Sequence, residues 1–209
     1  MRPRIEKDID RAVERLTAAD PLFSDLMDQY GIPPAMSRPP GFPTLLLIIL
    51  EQQVSLASAR AVYDKLNTAN SILSPETFLQ WKDEELLSFG YSRQKRRYTR
   101  LLANALIDGS FSFEWLGELD DGRAREYLMQ LKGIGSWTAD VYLMMAEGRA
   151  DFFPAGDIAL QVSYQEQMGL TERPGTGDLT RIAEAWRPER SLAARWLWHA
   201  YLTERGRSA

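Results

Sequence analysis

Asp157 combines a side chain suited to chemistry with a sequence setting that would hold it in place. It directly precedes Ile158-Ala159-Leu160-Gln161, a run typical of a helix start, where an aspartate accepts hydrogen bonds from backbone N–H groups. The positive end of a helix also attracts a negative charge. A carboxylate held in this way can stabilise a developing positive charge or activate water. The residues alone leave two roles open, a helix cap only or a cap that also does chemistry.

Few other chemistries are open to this chain. It has no cysteine and a single histidine, His199. The lack of cysteine removes disulfides, thiolate metal sites, Cys-ligated iron–sulfur clusters and a cysteine nucleophile. One histidine leaves no material for a multi-His zinc or di-iron centre. We therefore expect no metal site, and we expect catalysis by carboxylates, hydroxyls or amines.

A second motif, Gly133-Ile134-Gly135, suits the binding of phosphate. Glycine reaches positive φ without strain and lets the backbone approach a ligand closely, so a Gly-x-Gly turn that opens a helix exposes several N–H donors. Such donors at a helix N-terminus bind phosphate. Ile134 is expected to point inward between the two flanking helices. The alternative is a plain helix–helix connector in which the glycines act only as caps.

Helices must position these residues, because no part of the chain alternates as a strand does. Caps followed by proline predict helices at Asp20-Pro21 through Tyr30 and at Ser74-Pro75 through Trp81. An extended proline-rich connector is predicted over 31–43. Further helices are predicted over 83–90, 92–109, 121–131, 136–147, 157–168, 178–186 and 191–205. The result is an all-α protein of roughly ten short helices.

Length and charge limit the partners. The chain has 209 residues, enough for one large domain or two small lobes, and its net charge of −4 taken alone disfavours nucleic acid. Basic residues nevertheless cluster at Arg93, Lys95, Arg96, Arg97 and Arg100, and one basic face suffices to bind phosphates. The longest apolar run, 45–50, is too short to cross a bilayer, and the N-terminus lacks a signal-peptide pattern. We expect a cytoplasmic protein without membrane contact.

Four segments in the same order resemble the helix-hairpin-helix superfamily of DNA glycosylases, in its alkyl-base branch. They are Leu131-Lys132-Gly133-Ile134-Gly135-Ser136-Trp137-Thr138-Ala139, Phe153-Pro154-Ala155-Gly156-Asp157, Ile49-Leu50-Glu51-Gln52-Gln53-Val54-Ser55, and Trp186-Arg187-Pro188-Glu189-Arg190-Ser191 followed by Trp198. The resemblance covers roughly residues 40–205. It implies a two-lobed helical fold, one lobe over about 45–130 and the other over about 1–44 plus 131–209.

The resemblance also implies an activity. Asp157 stands where the superfamily has its catalytic aspartate, so we expect hydrolysis of the N-glycosidic bond of alkylated purines in duplex DNA. Trp137 stands where the bifunctional members have a lysine, and an indole cannot form a Schiff base. This predicts a monofunctional enzyme without lyase activity. The family needs no organic cofactor, although its hairpin carbonyls can hold a monovalent cation, and we expect a monomer.

Site residues follow from the same resemblance. Trp137, Trp198 and Tyr142 are candidates for the base pocket, although each could instead fill the core. Gln53 aligns with the residue that wedges into DNA, or else Gln52 and Gln53 only end a helix. The predicted DNA contacts are Lys132, Gly133, Ile134, Gly135, Ser136, Thr138, Gln52, Gln53, Ser55, Arg93, Lys95 and Arg96. The basic stretch could also be a solvated helix start.

Two other functions fit the same sequence. One is a glycosylase for mismatched or deaminated bases, which would keep Asp157 in the same role. The other is a non-catalytic hairpin module that recognises damaged DNA, in which binding would not depend on Asp157. Only activity on defined substrates separates them.

Overall fold

Helices account for all the regular structure in the part of the chain that the computed structural model describes, residues 8–69 and 72–207. No strand occurs there, which confirms the predicted class. Residues 1–7, where the sequence shows no signal-peptide pattern, lie outside the described residues. The helices are α1 Ile9–Ala19, α2 Pro21–Tyr30, α3 Phe42–Glu51, α4 Leu56–Ala69, α5 Pro75–Gln80, α6 Asp83–Phe89, α7 Arg93–Ile107, α8 Phe113–Glu118, α9 Asp121–Met129, α10 Ser136–Met145, α11 Ile158–Gln167, α12 Thr176–Ala183 and α13 Arg190–Glu204.

Two compact units divide the chain. Unit 1 consists of Met1–Ser37 and Leu143–Ala209, and unit 2 is Arg38–Tyr142. The resemblance predicts that the hairpin, residues 131–139, belongs to the same lobe as the terminal segments, but in the structure it belongs to unit 2. The reason is local packing: Gln52 hydrogen-bonds to the hairpin and Tyr98 lies directly against Gly133.

Aromatic side chains build the core of unit 1, where α13 packs against α11 and α2. Phe23 meets Trp186 edge to face at 5.1 Å and Trp196 at 5.7 Å, and all three rings are buried. Each indole N–H has a partner. Trp186 donates to Asp20 and Trp196 donates to the carbonyl of Gly31. The rings therefore contribute apolar area without leaving a buried donor unsatisfied.

Unit 2 forms around α3, whose apolar run packs against α4 and α7. Leu45, Ile48 and Ile49 are fully buried. Each such side chain contributes about 1.5–3 kcal/mol by its removal from water. The run that sequence analysis judged too short for a bilayer is thus the central core helix. Within residues 8–69 and 72–207, no helix is both long enough and apolar enough to span a membrane.

One buried hydroxyl fixes the loop that leads to Asp157. Ser191 Oγ accepts the N–H of Phe152 at 3.0 Å and donates to the carbonyl of Arg149 at 2.8 Å. The backbone N–H of Ser191 donates to Ala150 as well. Because the first turn of α13 satisfies these buried backbone groups, the loop from 149 onward has a defined course.

We expect Ser191→Ala to destabilise the protein by about 1–3 kcal/mol, because the buried N–H of Phe152 and the carbonyl of Arg149 lose their partner. Urea or thermal denaturation followed by circular dichroism measures the change. Ser88→Ala is the matched control, since Ser88 is exposed in α6, and should shift stability by less than about 0.5 kcal/mol. Equal shifts for the two variants would contradict the role given to Ser191.

Candidate active site

Asp157 is the N-cap of α11, as the sequence predicts. Its Oδ1 accepts the backbone N–H groups of Ala159 at 2.9 Å and Leu160 at 3.2 Å. A third donor is the indole Nε1 of Trp198, at 3.2 Å from the same oxygen. The carboxylate is half-buried. Three N–H groups therefore fix its orientation at the positive end of a helix.

The loop before Asp157 is held by a buried glutamine. Gln161, in the first turn of α11, donates from Nε2 to the carbonyl of Ala155 at 2.8 Å. The N–H of Asp157 itself donates to the carbonyl of Pro154 at 2.8 Å. These bonds join the loop to the helix that it caps. Sequence reasoning missed Gln161, although a glutamine four residues after an N-cap aspartate at a buried position is a usable signal.

Trp198 lies beside the carboxylate and is only 8% exposed. Sequence analysis offered it as a base-pocket residue or a core residue. The ring is largely buried in α13, and its N–H contacts Asp157. The base-pocket role stays a prediction. Helices α11 and α13, which pack against each other, thus supply the acid and its donor from the same unit.

The same arrangement occurs a second time in unit 1. Asp20 caps α2 by accepting the N–H of Leu22 at 3.0 Å, and its other oxygen accepts the indole N–H of Trp186 at 2.9 Å. An Asp–Trp pair at a helix N-terminus is therefore not diagnostic of catalysis here. What separates the two pairs is their place in the sequence.

The glycine turn has the geometry that its sequence predicts. Gly133 has φ +93°, and a Cβ built on it would lie 2.2 Å from the ring of Tyr98. Ile134 is 5% exposed, which confirms that it points inward. Gly135 and Ser136 are exposed at the start of α10, and Lys132 is exposed in the turn. The turn therefore presents backbone N–H groups and one ammonium at an accessible helix N-terminus.

The turn after α3 contains an unusual backbone. Gln53 has φ +57°, the only positive φ of a non-glycine residue in the described part of the chain, and its side chain is exposed. Ser55 caps α4, since its Oγ accepts the N–H of Ser58 at 3.2 Å. The neighbouring Gln52 does not extend outward as the sequence suggested. Its Nε2 donates to the carbonyl of Gly133 and to Thr138 Oγ1, so it binds inside the protein.

The basic stretch of α7 is largely used inside unit 2. Lys95 Nζ donates to the carbonyl of Leu50 at 2.6 Å, and burial lowers the pKa of its ammonium group. Arg96 donates to the carbonyl of Asp83 at 2.8 Å. Sequence analysis had proposed both as DNA contacts, but their geometry favours a role in capping backbone carbonyls. Arg93 and Arg97 are exposed.

The two remaining pocket candidates differ in exposure. Trp137 is partly exposed in the first turn of α10. Tyr142 is fully buried, stacks on Phe113 at 5.6 Å and accepts the N–H of Gly41 at 2.8 Å. Of the alternatives left open for Tyr142, the structure favours the core residue, because its hydroxyl and its ring are already engaged.

A monovalent cation has a poor donor set in this hairpin. The carbonyls of Leu131, Gly133 and Gly135 already accept hydrogen bonds from Ile134, Gln52 and Ala139. A cation there would depend on second lone pairs and on the other carbonyls of the turn. In the described part of the chain, no group of His, Cys, Asp or Glu side chains could hold a metal ion.

Comparison with known proteins gives the family of this chain. The sequence model of the HhH-GPD superfamily of base excision DNA repair proteins matches residues 46–188. This chain belongs to the HhH-GPD superfamily. Asp157, the hairpin and the turn at Gln53 all lie inside the segment that defines the superfamily, whereas Asp20 lies outside it. Of the two aspartates, only Asp157 lies in the matched segment, which makes it the candidate for a role in the function of this superfamily. Of their partners, Trp186 lies inside that segment and Trp198 outside it.

Relatives match over nearly the full chain. The "alkylbase DNA glycosidase-like protein mag2" of Schizosaccharomyces pombe is 26% identical over 200 residues, covering 92% of this chain and 94% of that protein. The S. pombe 3-methyladenine DNA glycosylase Mag1, solved with abasic DNA, has a TM-score of 0.84 at 26% identity and covers 90% of this chain and 95% of its own. A DNA-3-methyladenine glycosidase from Bacillus halodurans gives 0.77 at 28% identity, with 99% and 95% covered.

We expect Gly133→Ala to destabilise the HhH-GPD hairpin by about 2–4 kcal/mol, since the new methyl group needs a strained φ and overlaps Tyr98. Gly135→Ala is the matched control one residue away, where nothing lies within 4 Å of an added Cβ. The expected cost of Gly135→Ala is the loss of a favourable N-cap residue, which destabilises the protein by less than about 1 kcal/mol. Denaturant unfolding of both variants measures the difference, and equal losses would contradict the packing of Tyr98 on Gly133.

Proposed function

We propose that this protein is a DNA glycosylase of the 3-methyladenine DNA glycosylase II type, which removes alkylated purines such as 3-methyladenine and 7-methylguanine from duplex DNA in base excision repair. The observation that carries the proposal is the carboxylate of Asp157, which lies inside the superfamily segment and is fixed at the N-terminus of α11 by three N–H donors. Relatives whose names state activity on alkylated bases support the choice of substrate.

The carboxylate supplies what cleavage of an N-glycosidic bond requires. As the base departs, C1′ of the sugar acquires oxocarbenium character, and a fixed anion nearby stabilises that charge. The same group can orient or deprotonate the water that attacks C1′. The water adds its oxygen to C1′, its proton passes to the carboxylate or to solvent, and the bond electrons leave with the base. The products are a free purine and an abasic site.

Alkylated purines suit a site with one acidic residue. A purine alkylated at N3 or N7 already carries a positive charge, so it leaves without strong acid assistance. A flipped cationic base is also attracted by the face of an aromatic ring. Trp137, partly exposed, and Trp198, beside Asp157, are the candidates that remain for this contact.

The absence of a lyase step rests on Trp137. A lyase needs an amine that attacks C1′ and forms a Schiff base. The residue at this place in the hairpin is an indole, which cannot do so. We therefore expect the strand to stay intact after the base is released.

Duplex DNA is the proposed partner because the exposed features of unit 2 suit its backbone and its stack. Lys132, Ser136 and the N–H groups of the turn provide a phosphate site, and Arg93 and Arg97 add exposed charge. Gln53 is exposed on a backbone with φ +57°. Strained residues of this kind are concentrated at functional sites. We assign Gln53 to the gap that an extruded nucleotide leaves.

We expect Asp157→Asn to abolish release of 3-methyladenine and 7-methylguanine from methylated duplex DNA, because the amide keeps the helix cap but loses the charge. Free bases are measured by chromatography. Asp20→Asn is the matched control, since it makes the same change in the second Asp–Trp pair. It should keep wild-type activity.

Four results would contradict parts of the proposal. Equal release by wild type and Asp157→Asn would remove Asp157 from the mechanism. Strand breaks without alkali treatment would show a lyase step. Release of mismatched or deaminated bases in place of alkylated ones would change the substrate class, and damage-specific binding without any base release would identify a recognition module.

We expect Trp198→Phe to lower the single-turnover rate of base release by about 10-fold or more, because a hydrogen bond to a charged oxygen is lost while the aromatic ring remains. Trp186→Phe removes the equivalent N–H donor from Asp20 and should leave the rate of the folded protein unchanged. An unchanged rate in Trp198→Phe would show that the backbone N–H groups alone orient Asp157.

A further inference from the structure

One side chain connects the turn at Gln53 with the glycine turn and with helix α10 of the hairpin. Gln52 Nε2 donates to the carbonyl of Gly133 at 3.0 Å and to Thr138 Oγ1 at 2.9 Å. Gly133 lies in the glycine turn, and Thr138 lies in the first turn of α10 and is 2% exposed. Both amide hydrogens of one side chain can therefore be used within the protein.

Gln52, which makes this connection, directly precedes the residue with the strained backbone. Gln53 has φ +57°, a conformation that a side chain such as glutamine adopts only where neighbouring structure holds it. Gln52 holds this turn from one side and Ser55, the cap of α4, from the other. The preceding residue is fixed too, because Glu51 forms a two-bond pair with Arg38 at 2.9 and 3.0 Å.

Helix α7 supports the same two elements. Lys95 Nζ caps the carbonyl of Leu50 in the last turn of α3. Tyr98, one turn further along, lies against Gly133 with no space for a Cβ. A single face of α7 thus contacts the end of α3 and the hairpin, and Gln52 closes the connection between them.

We propose that Gln52 is a positioning residue that fixes the position of the turn at Gln53 relative to the hairpin. The inference rests on the proposed function, in which the hairpin binds a DNA strand and Gln53 fills the gap that the extruded nucleotide leaves in the base stack. Binding energy then need not be used to order the turn, because it is already ordered in the free protein. Gln52 itself acts through Gln53 and the hairpin and needs no contact with DNA.

The test uses a short duplex that contains a tetrahydrofuran abasic site with 2-aminopurine as its neighbour, whose fluorescence rises when it is unstacked. Wild type at saturation should raise the fluorescence, and Gln52→Met, which keeps the length but loses both hydrogen bonds, should reduce that rise about fivefold. Its affinity for undamaged duplex, measured by anisotropy, should stay within about twofold. Gln80→Met, an exposed position at the end of α5, should behave as wild type.

Thr138→Val is the second variant, because it removes one acceptor without changing the volume of a buried side chain. It should give an intermediate fluorescence rise in a protein that stays folded, and it decides the question if Gln52→Met does not fold. A wild-type response in the folded Gln52→Met and Thr138→Val variants would overturn the inference alone. No fluorescence rise with wild type would instead contradict the proposed insertion of Gln53, and so the proposed function.

Discussion

The fixed orientation of one carboxylate is the constraint on which the rest of unit 1 depends. Asp157 Oδ1 is held by two backbone N–H groups and one indole N–H. The loop before it is fixed by Gln161 and Ser191, which satisfy buried backbone groups. Loss of a hydrogen bond by a buried polar group is costly. Local stability and the geometry of the site therefore have the same physical cause.

In unit 2, polar side chains fix a turn rather than a carboxylate. Its apolar core around α3 supplies stability, while three polar side chains, Gln52, Lys95 and Glu51, fix the turn that follows α3. A positive φ at Gln53 is tolerated because this turn is over-determined. The hairpin is part of the same arrangement through Gly133 and Thr138. We interpret this as preorganisation of a surface that must meet a stiff partner without rearranging.

Local chemistry made much of the fold predictable. The N-caps at Asp20 and Ser74, each followed by a proline, predicted the starts of α2 and α5, and the side-chain acceptor of Asp157 predicted the start of α11. The sequence patterns gave no predicted range for helices α1, α3, α4 and α8. Leu56, the first residue of α4, is exposed and only Ala59 and Leu66 are buried, so its pattern is weak, and α8 has six residues.

Side-chain roles were less predictable than helices. The charges of Lys95 and Arg96 indicated a phosphate surface, yet their partners are the carbonyls of Leu50 and Asp83, which lie 45 and 13 residues away in sequence. No local pattern encodes such distant acceptors. Tyr142 is a similar case, since its partner is Gly41. Asp157 was identified by resemblance. Local chemistry could not single it out, because Asp20 is also a helix N-cap and also accepts a tryptophan N–H.

The central claim is that Asp157 stabilises positive charge on the sugar. Its most direct test is the affinity for two duplexes, one with a cationic pyrrolidine and one with a neutral tetrahydrofuran in place of the damaged nucleoside. Wild type should bind the cationic duplex at least about 100-fold more tightly, as expected for a transition-state analogue. Asp157→Asn should lose that preference. Equal affinity of wild type for the two duplexes would contradict the account.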